Sequence, residues 1–263
     1  MERPQTARSK KFVTVAFAVT AFFLSAAGLG TNAEPLMLAT RHHLPPYVYK
    51  TASSGIEVDL IKAIFKDMQV DIKFIQMPRI RMIQSFDRGE VQGILTQNVT
   101  VSDIGCATDW YLKHQNVGFT LAEENIQLST LQDLQKFSVL SFDGARKYLG
   151  EAFRMAVDNN PRYKEYINQA AHIELVYLKR FNVIIGDEWI LRLAQRNHFD
   201  KTGKYKRMTA HYIMPPSLYS ARFQDQTICD AFNKSLSKIR NSGNYEQIVS
   251  AYHQRIMIAA TVF

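Results

Sequence analysis

The sequence predicts an α/β fold whose sheets are mainly parallel and flanked by helices. Residues 54–95 read as helix, strand, helix and strand, with turn residues at the joints. A charged turn that runs into a buried strand occurs at residues 88–94 and again at residues 178–185. Helices alternating with short apolar strands are typical of parallel sheets, which bind ligands beyond the carboxyl ends of their strands. We therefore expect the functional residues in the loops after the strands.

The first helix is expected after Gly55, because apolar residues at positions 58, 61, 64 and 65 recur at helical spacing. Residues 71–75 alternate like a strand, and a second helix should run from about Arg79 to Gly89. Glycine often adopts the left-handed conformation just past a helix end, so Gly89 marks its stop. Residues 91–95 return as a short apolar strand.

The rest of the chain shows the same kinds of element. Pro161 and Pro215 lie in stretches that break the helical pattern. The predicted elements are a short capped helix at 128–134, a strand at 137–141, a loop at 142–145 opening a helix from about residue 146, and helices at 226–239 and 245–255.

The N-terminal segment has the three-part pattern of a secretory signal peptide. Four basic residues within the first 11 precede an apolar run over residues 12–30, and small residues follow at 31–33. An uncleaved membrane anchor is the alternative, because the run is nearly long enough to span a bilayer. Polar residues within the run and its small-residue end favour cleavage after about Ala33. We therefore expect export to the periplasm.

The charge and the cysteines limit the function further. Removing residues 1–33 takes four basic residues and one acidic residue from the formal net charge of +8 and leaves +5. This excess suits anionic solutes or a membrane surface, and no basic run with interleaved aromatic residues indicates a nucleic acid partner. Only Cys106 and Cys229 are present, so a single bridge or two buried thiols are the alternatives in an oxidising compartment.

Several short motifs, in order, resemble the family 3 extracellular solute-binding proteins, the amino-acid receptors of ABC transporters. The motifs are Leu44-Pro45-Pro46-Tyr47, Gly55-Ile56-Glu57-Val58-Asp59-Leu60, Arg88-Gly89-Glu90-Val91-Gln92-Gly93-Ile94, the loop 141–145, Ile185-Gly186-Asp187 and Ile239-Arg240-Asn241-Ser242-Gly243-Asn244-Tyr245. They cover almost all of residues 34–255. The resemblance implies a two-lobed periplasmic-binding-protein fold of type II with the ligand in the cleft. The lobes would comprise residues 34–122 with 214–263, and residues 123–213.

The resemblance also implies a function and candidate residues. The protein would be a monomer that captures a small polar solute, amino-acid-like or a carboxylated anion, and delivers it to a membrane permease, without a cofactor. Tyr47 would form an aromatic wall or pack in the core, and Asp187 would pair with a ligand ammonium or cap a helix. The backbone amides of the helix start at 142–146 would bind a carboxylate or a phosphate. The candidate ligand-binding residues are Arg41, Tyr47, Arg79, Arg81, Thr96, Gln97, Asn98, Phe142, Gly144, Ala145 and Asp187.

The chain departs from this family where amino-acid receptors bind the α-carboxylate. Residues 100–104 lack the expected arginine, and Arg41 replaces an expected acid after the first strand. We therefore hypothesise a small anionic or carboxylated ligand held by Arg41 or Arg81, with solvated surface charges as the alternative. His42 and His43 are neighbours on a predicted strand and would point to opposite faces, so no metal is expected.

Two other functions use the same fold. One is an enzyme similar to the periplasmic cyclohexadienyl dehydratases, which requires a cleft acid of raised pKa such as Glu57, Asp187 or Glu188. The other is a sensor that reports ligand binding to a membrane kinase. The chain shows no nucleophile motif, P-loop or dinucleotide fingerprint, so we predict a non-catalytic receptor.

Overall fold

The computed structural model describes residues 1–2, 34–98 and 102–257. The chain divides into residues 1–33 and 34–263, and the fold described below belongs to the second unit. The predicted signal peptide lies almost entirely outside the described residues, as do Thr100 and Val101. No helix in the described ranges combines the length and apolar character needed to cross a membrane.

Eleven strands and eight α-helices make up the described fold. The strands are β1 (Leu36–Thr40), β2 (Ile72–Gln76), β3 (Gly93–Gln97), β4 (Cys106–Ala107), β5 (Leu112–His114), β6 (Asn116–Leu121), β7 (Val139–Phe142), β8 (Tyr163–Tyr166), β9 (Val183–Asp187), β10 (Met208–His211) and β11 (Ser217–Phe223). The helices are α1 (Ile56–Met68), α2 (Arg79–Asp87), α3 (Ala145–Tyr148), α4 (Glu151–Asp158), α5 (His172–Tyr177), α6 (Glu188–Thr202), α7 (Gln226–Asn241) and α8 (Asn244–Met257).

The strands form two sheets, and we call the part of the chain built on each sheet a lobe. The first sheet has the order β2-β1-β3-β11-β4, with β5 paired to β11, and the second has the order β10-β6-β9-β7-β8. β1 pairs in parallel with β2 and β3, and β7 pairs in parallel with β8 and β9. The predicted α/β fold with two lobes is confirmed, and each sheet has a parallel part extended by antiparallel strands.

The two parallel parts repeat one another. The order β2-β1-β3 corresponds to β8-β7-β9, and the turn from α2 into β3 corresponds to the turn from α5 into β9. These are the two junctions whose sequences resemble each other. β8 was not predicted, because two of its four residues are exposed and its pattern Tyr-Lys-Glu-Tyr carries charges at the edge of the sheet.

α1 lies on the core of the first lobe as the spacing predicted. Val58, Ile61, Ile64 and Phe65 are fully or almost fully buried and pack with residues of α7 and α8. Gly55 precedes the helix at φ 135°, and an added Cβ atom would lie 2.1 Å from the carbonyl oxygen of Tyr47. Glycine is therefore needed there to let α1 start close to the preceding turn.

The chain passes between the sheets twice, at Gln115 and at residues 212–216. The Gln115 side-chain amide donates a 3.0 Å hydrogen bond to the Met214 carbonyl oxygen and so ties the two crossings together. α6 packs against α8. At this contact the rings of Trp189 and His253 stack with their centres 3.4 Å apart. β6 pairs within the second sheet, and the predicted lobe boundaries at residues 122 and 213 stay predictions.

Candidate functional site

A cleft of about 240 Å³ lies where the two sheets face each other. Each of the six parallel strands contributes a residue at or beyond its carboxyl end, as the α/β pattern predicted. The first lobe contributes Arg41, Leu44, Arg79, Thr96, Asn98, His114, Ser217 and Tyr219, and Asn116 lies at the start of β6 next to the crossing at Gln115. The second lobe contributes Phe142, Asp143, Tyr148, Leu149, Ile167, Gln169, Asp187 and Ile190.

Two guanidinium groups give the cleft its cationic character. Arg41 follows β1 and Arg79 begins α2, and neither forms an ion pair with another described residue. The Arg79 guanidinium lies 5.7 Å from the ring centre of Tyr148 on the opposite lobe, within the range of a cation–π contact. The cleft therefore offers two cations to an anionic ligand.

Two polar atoms of the first-lobe wall are buried without a hydrogen-bond partner among the described residues. They are His114 Nε2 and Asn98 Oδ1. The His114 ring is 6% exposed and stacks 3.9 Å from the ring of Tyr47. Burial, with a smaller effect of the Arg41 charge, lowers the pKa of His114 to about 3, so its imidazole is neutral at physiological pH. Buried polar groups usually have partners, so these atoms are available to a ligand or to water.

Beneath the cleft floor, Glu57 is fully buried in a closed hydrogen-bond network. The Thr96 hydroxyl donates to both carboxylate oxygens at 2.7 and 3.0 Å, and the Tyr111 hydroxyl donates to Oε1. The Thr96 amide in turn donates to the Tyr111 oxygen at 3.0 Å. Burial raises the pKa of Glu57, while these donors and Arg41 oppose the rise. Thr96 adopts φ 57°, which is rare for a β-branched residue. It both lines the cleft and donates a hydrogen bond to Glu57.

Asp187 caps α6, and both of its carboxylate oxygens accept hydrogen bonds. Its Oδ1 accepts from the amides of Trp189 and Ile190, and Oδ2 accepts from the amide of Gln115 at 3.0 Å. The Tyr47 hydroxyl lies 2.9 and 3.0 Å from the two oxygens and joins the lobes. Burial raises the pKa of Asp187 to about 7 against these donors. The helix-cap interpretation is thus present in the structure, and a direct role in ligand binding stays a prediction.

We expect the Asp187→Asn variant to lose part of the pH dependence of stability. Because the folded-state pKa lies above the unfolded value, the wild-type contribution is fully present below about pH 4 and is lost as the pH rises through 7. Wild type should lose about 2 kcal/mol relative to the variant between pH 5 and pH 8. Urea unfolding at both pH values measures this difference. Parallel pH profiles for the two proteins would contradict the expectation.

Two of the amides at the predicted anion-binding helix start, 142–146, are already hydrogen-bonded within the protein. The amides of Gly144 and Arg146 donate to the two oxygens of Glu165 at 2.8 and 3.0 Å. α3 has only four residues, so its dipole is small. Phe142 lines the cleft, whereas Gly144 and Ala145 lie outside its lining. A protein carboxylate already accepts from the amides of Gly144 and Arg146, and a ligand carboxylate at this helix start stays a prediction.

Three other candidates lie outside the cleft lining. Arg81 is exposed on α2, because residues two apart on a helix point about 200° away from each other and Arg79 faces the cleft. Gln97 is absent from the lining of the cleft and borders a separate pocket, which Asn98 also borders. Tyr47 is 2% exposed and lies behind the wall, in the core of the first lobe. Arg41, Arg79, Thr96, Asn98, Phe142 and Asp187 are the candidates brought together.

Sequence reasoning missed most residues of the crossings and of the second-lobe rim. His114 and Asn116 belong to a run of four polar residues, 113–116, between apolar neighbours, and this run was an available signal. Ile167 and Gln169 follow β8, which was not predicted. Among the described residues, no group of three or more histidine, cysteine, aspartate or glutamate side chains is placed to hold a metal ion.

Residues 36–255 match the family described as bacterial extracellular solute-binding proteins, family 3. This match spans most of the chain, including both sheets and the cleft. The chain belongs to that family. The motifs that indicated it in the sequence lie at or near the cleft, on α1, at the α2–β3 junction and in the loop after β7.

Individual family members are only distantly similar. The chain is 22% identical over 267 residues to the "Probable histidine-binding protein" of Neisseria gonorrhoeae, covering 92% of this chain and 95% of that protein. It is 23% identical over 252 residues to the L-arginine-binding protein of Pseudomonas aeruginosa, covering 88% and 93%. The solved structure of an ancestral cationic amino acid solute-binding protein superposes with a TM-score of 0.63 at 15% identity, over 83% of this chain and 95% of that one.

Proposed function

We propose that this protein is a monomeric periplasmic receptor that binds a small carboxylated solute in its cleft and delivers it to a membrane permease. The observation that carries the proposal is the pair of unpaired guanidinium groups, Arg41 and Arg79, on the first-lobe wall. Guanidinium groups bind carboxylates by charge-assisted, often bidentate, hydrogen bonds. Closure of the lobes over a ligand would be stabilised in proportion to the difference in affinity between the closed and open forms.

The ligand should differ from those in the names of the relatives, which are histidine and L-arginine. A cationic side chain placed in this cleft would meet the guanidinium groups of Arg41 and Arg79, and like charges repel strongly away from bulk water. An amino acid with a neutral side chain, or an acid without an amino group, avoids this repulsion. We therefore place a monocarboxylate or dicarboxylate ahead of a cationic amino acid.

A non-catalytic role fits the state of the buried acids. Glu57 and Asp187 have raised pKa values, as a general acid needs, but protein donors occupy both carboxylates. A catalytic acid must lie within hydrogen-bond reach of the reacting atom, and Glu57 is below the cleft floor. Conversion of a bound carboxylate to product in a mass-spectrometric assay would instead favour the dehydratase-like alternative.

The proposal is tested by a thermal-shift screen followed by calorimetry on the purified protein. The panel contains amino acids, dicarboxylates, tricarboxylates, small phosphates and polyamines, and a ligand that binds only the folded state raises the melting temperature. For a carboxylate that binds, we expect Arg41→Ala and Arg79→Ala to weaken binding by about 10- to 100-fold, because each removes a charge-assisted hydrogen bond.

Arg81→Ala is the matched control for Arg79→Ala. Both residues belong to α2 and both variants lose one positive charge, but only Arg79 lines the cleft. Arg81→Ala should change affinity less than about twofold, since it removes only a solvent-screened charge. Equal losses of affinity in the two variants would show that the net charge of the protein, rather than contact with the ligand, determines binding. Binding of polyamines or L-arginine with full affinity in Arg41→Ala would refute the anionic-ligand proposal.

A further inference from the structure

We propose that the cleft recognises a carboxylate joined to an apolar body and makes no use of an ammonium group. This inference rests on the proposed function and names the class of solute. One lobe provides the groups that would bind the carboxylate, and the other provides the surface that would contact the apolar body. The first-lobe wall carries the cations and the unpartnered polar atoms, and the second-lobe wall carries mainly apolar side chains.

The carboxylate that an ammonium group would need is already fully bonded. A carboxylate has about four acceptor positions. At Asp187 they are taken by the amides of Trp189, Ile190 and Gln115 and by the hydroxyl of Tyr47. Three of these donors are backbone groups held by the start of α6 and by the crossing. An ammonium group would therefore have to displace the Tyr47 hydroxyl, which also links the two lobes.

A second polar feature, at the start of α3, is also satisfied by the protein. Glu165 accepts hydrogen bonds from the amides of Gly144 and Arg146, so these two amides are already paired. Apart from Asp143, Gln169 and Asp187, the second-lobe wall consists of five large apolar or aromatic side chains: Phe142, Tyr148, Leu149, Ile167 and Ile190. Ile167 is 84% exposed and Tyr148 is 44% exposed, so a ligand body bound there would bury them.

The first-lobe wall is suited to the carboxylate of such a ligand. The guanidinium groups of Arg41 and Arg79 supply donors for a carboxylate, and His114 Nε2 lies in the same wall without a partner. The neutral His114 imidazole adds a hydrogen bond without adding charge. Asp143 is the one exposed acid among the cleft residues named above, and it lies in the loop after β7 where solvent screens its charge.

Isothermal titration of the purified protein with matched pairs of probes tests the inference. The pairs are phenylalanine with 3-phenylpropionate and leucine with 4-methylpentanoate, which differ only by the ammonium group. We expect each acid without the ammonium group to bind at least as tightly as its partner. Succinate should bind at least about tenfold more weakly than 3-phenylpropionate, as expected when an apolar wall meets a polar group.

Two variants make the test specific. Tyr47→Phe keeps the ring but removes the hydroxyl from Asp187, so the affinity for phenylalanine should rise about tenfold while that for 3-phenylpropionate stays within about twofold. Ile167→Ser should weaken 3-phenylpropionate about tenfold through lost apolar contact. Asp143→Asn is the control for an ammonium group bound at the rim, and it should leave the ratio within each pair unchanged.

The outcomes separate this inference from the proposed function. If phenylalanine or leucine binds wild type at least about tenfold more tightly than its partner, the inference is wrong and the receptor function stands. Preference for succinate over 3-phenylpropionate likewise overturns the inference alone. If neither probe of either pair binds, and no carboxylate of the wider panel raises the melting temperature, both proposals fail.

Discussion

Replacing Cys106 and Cys229 together by alanine is expected to lower the melting temperature by about 10 °C. The two residues form a disulfide between β4 and α7, with Cα atoms 6.4 Å apart and 123 positions apart in sequence. The bridge therefore closes a loop that contains the whole second sheet. In the chain-entropy model a loop of this length contributes roughly 5 kcal/mol to the free energy of unfolding.

The measurement is differential scanning calorimetry of wild type and the double variant. Wild type treated with a reducing agent is the control, because it breaks the same bond without changing a side chain. Cys229 is 1% exposed, and alanine avoids burying the hydroxyl that serine would introduce there. If the melting temperatures of the double variant and wild type agree within about 2 °C, the bridge does not constrain the unfolded chain as this model requires.

Glu57→Ala is expected to reduce the free energy of unfolding by about 3–5 kcal/mol. The substitution leaves a void in a fully buried site and removes the acceptor of the Thr96 and Tyr111 hydroxyls. Each buried hydroxyl left without a partner costs about 1–3 kcal/mol. The loss should also loosen the cleft floor, because Thr96 contacts both the cleft and Glu57.

Glu57→Gln is the matched variant for this prediction. It preserves the side-chain shape and one acceptor oxygen, so a smaller loss of about 1–2 kcal/mol is expected from urea unfolding. Because burial raises the pKa of Glu57, the stability contribution of its protonation is lost as the pH rises through the folded-state pKa. The penalty of the glutamine variant relative to wild type should therefore shrink at higher pH. Equal losses for the alanine and glutamine variants would contradict the expectation, because they would show that the void left by alanine costs nothing beyond the loss of the carboxylate.

The local pattern of the chain was sufficient for the elements with strong periodicity. The apolar positions of α1 and α7 recur at helical spacing, and Asn159 and Gly243 stand just beyond helices that end as expected. Short edge strands such as β4 and β8 escaped prediction. Apart from the buried Tyr163, their residues are half-buried or exposed, so the contrast between apolar and polar positions is weak.

The sequence by itself determined the α/β class, the family and the expectation that ligand-binding residues follow the parallel strands. These features depend on spacing between near neighbours, and so they are visible without coordinates. Only the tertiary structure decided which candidate groups are available to a ligand and which already bind another part of the protein. Tyr47 binds Asp187 across 140 positions, Glu165 occupies the amides of the loop at 144–146, and Arg79 rather than Arg81 faces the cleft. Such contacts depend on how loops from different strands meet, and hydrogen bonds between distant residues leave no periodic trace in the chain.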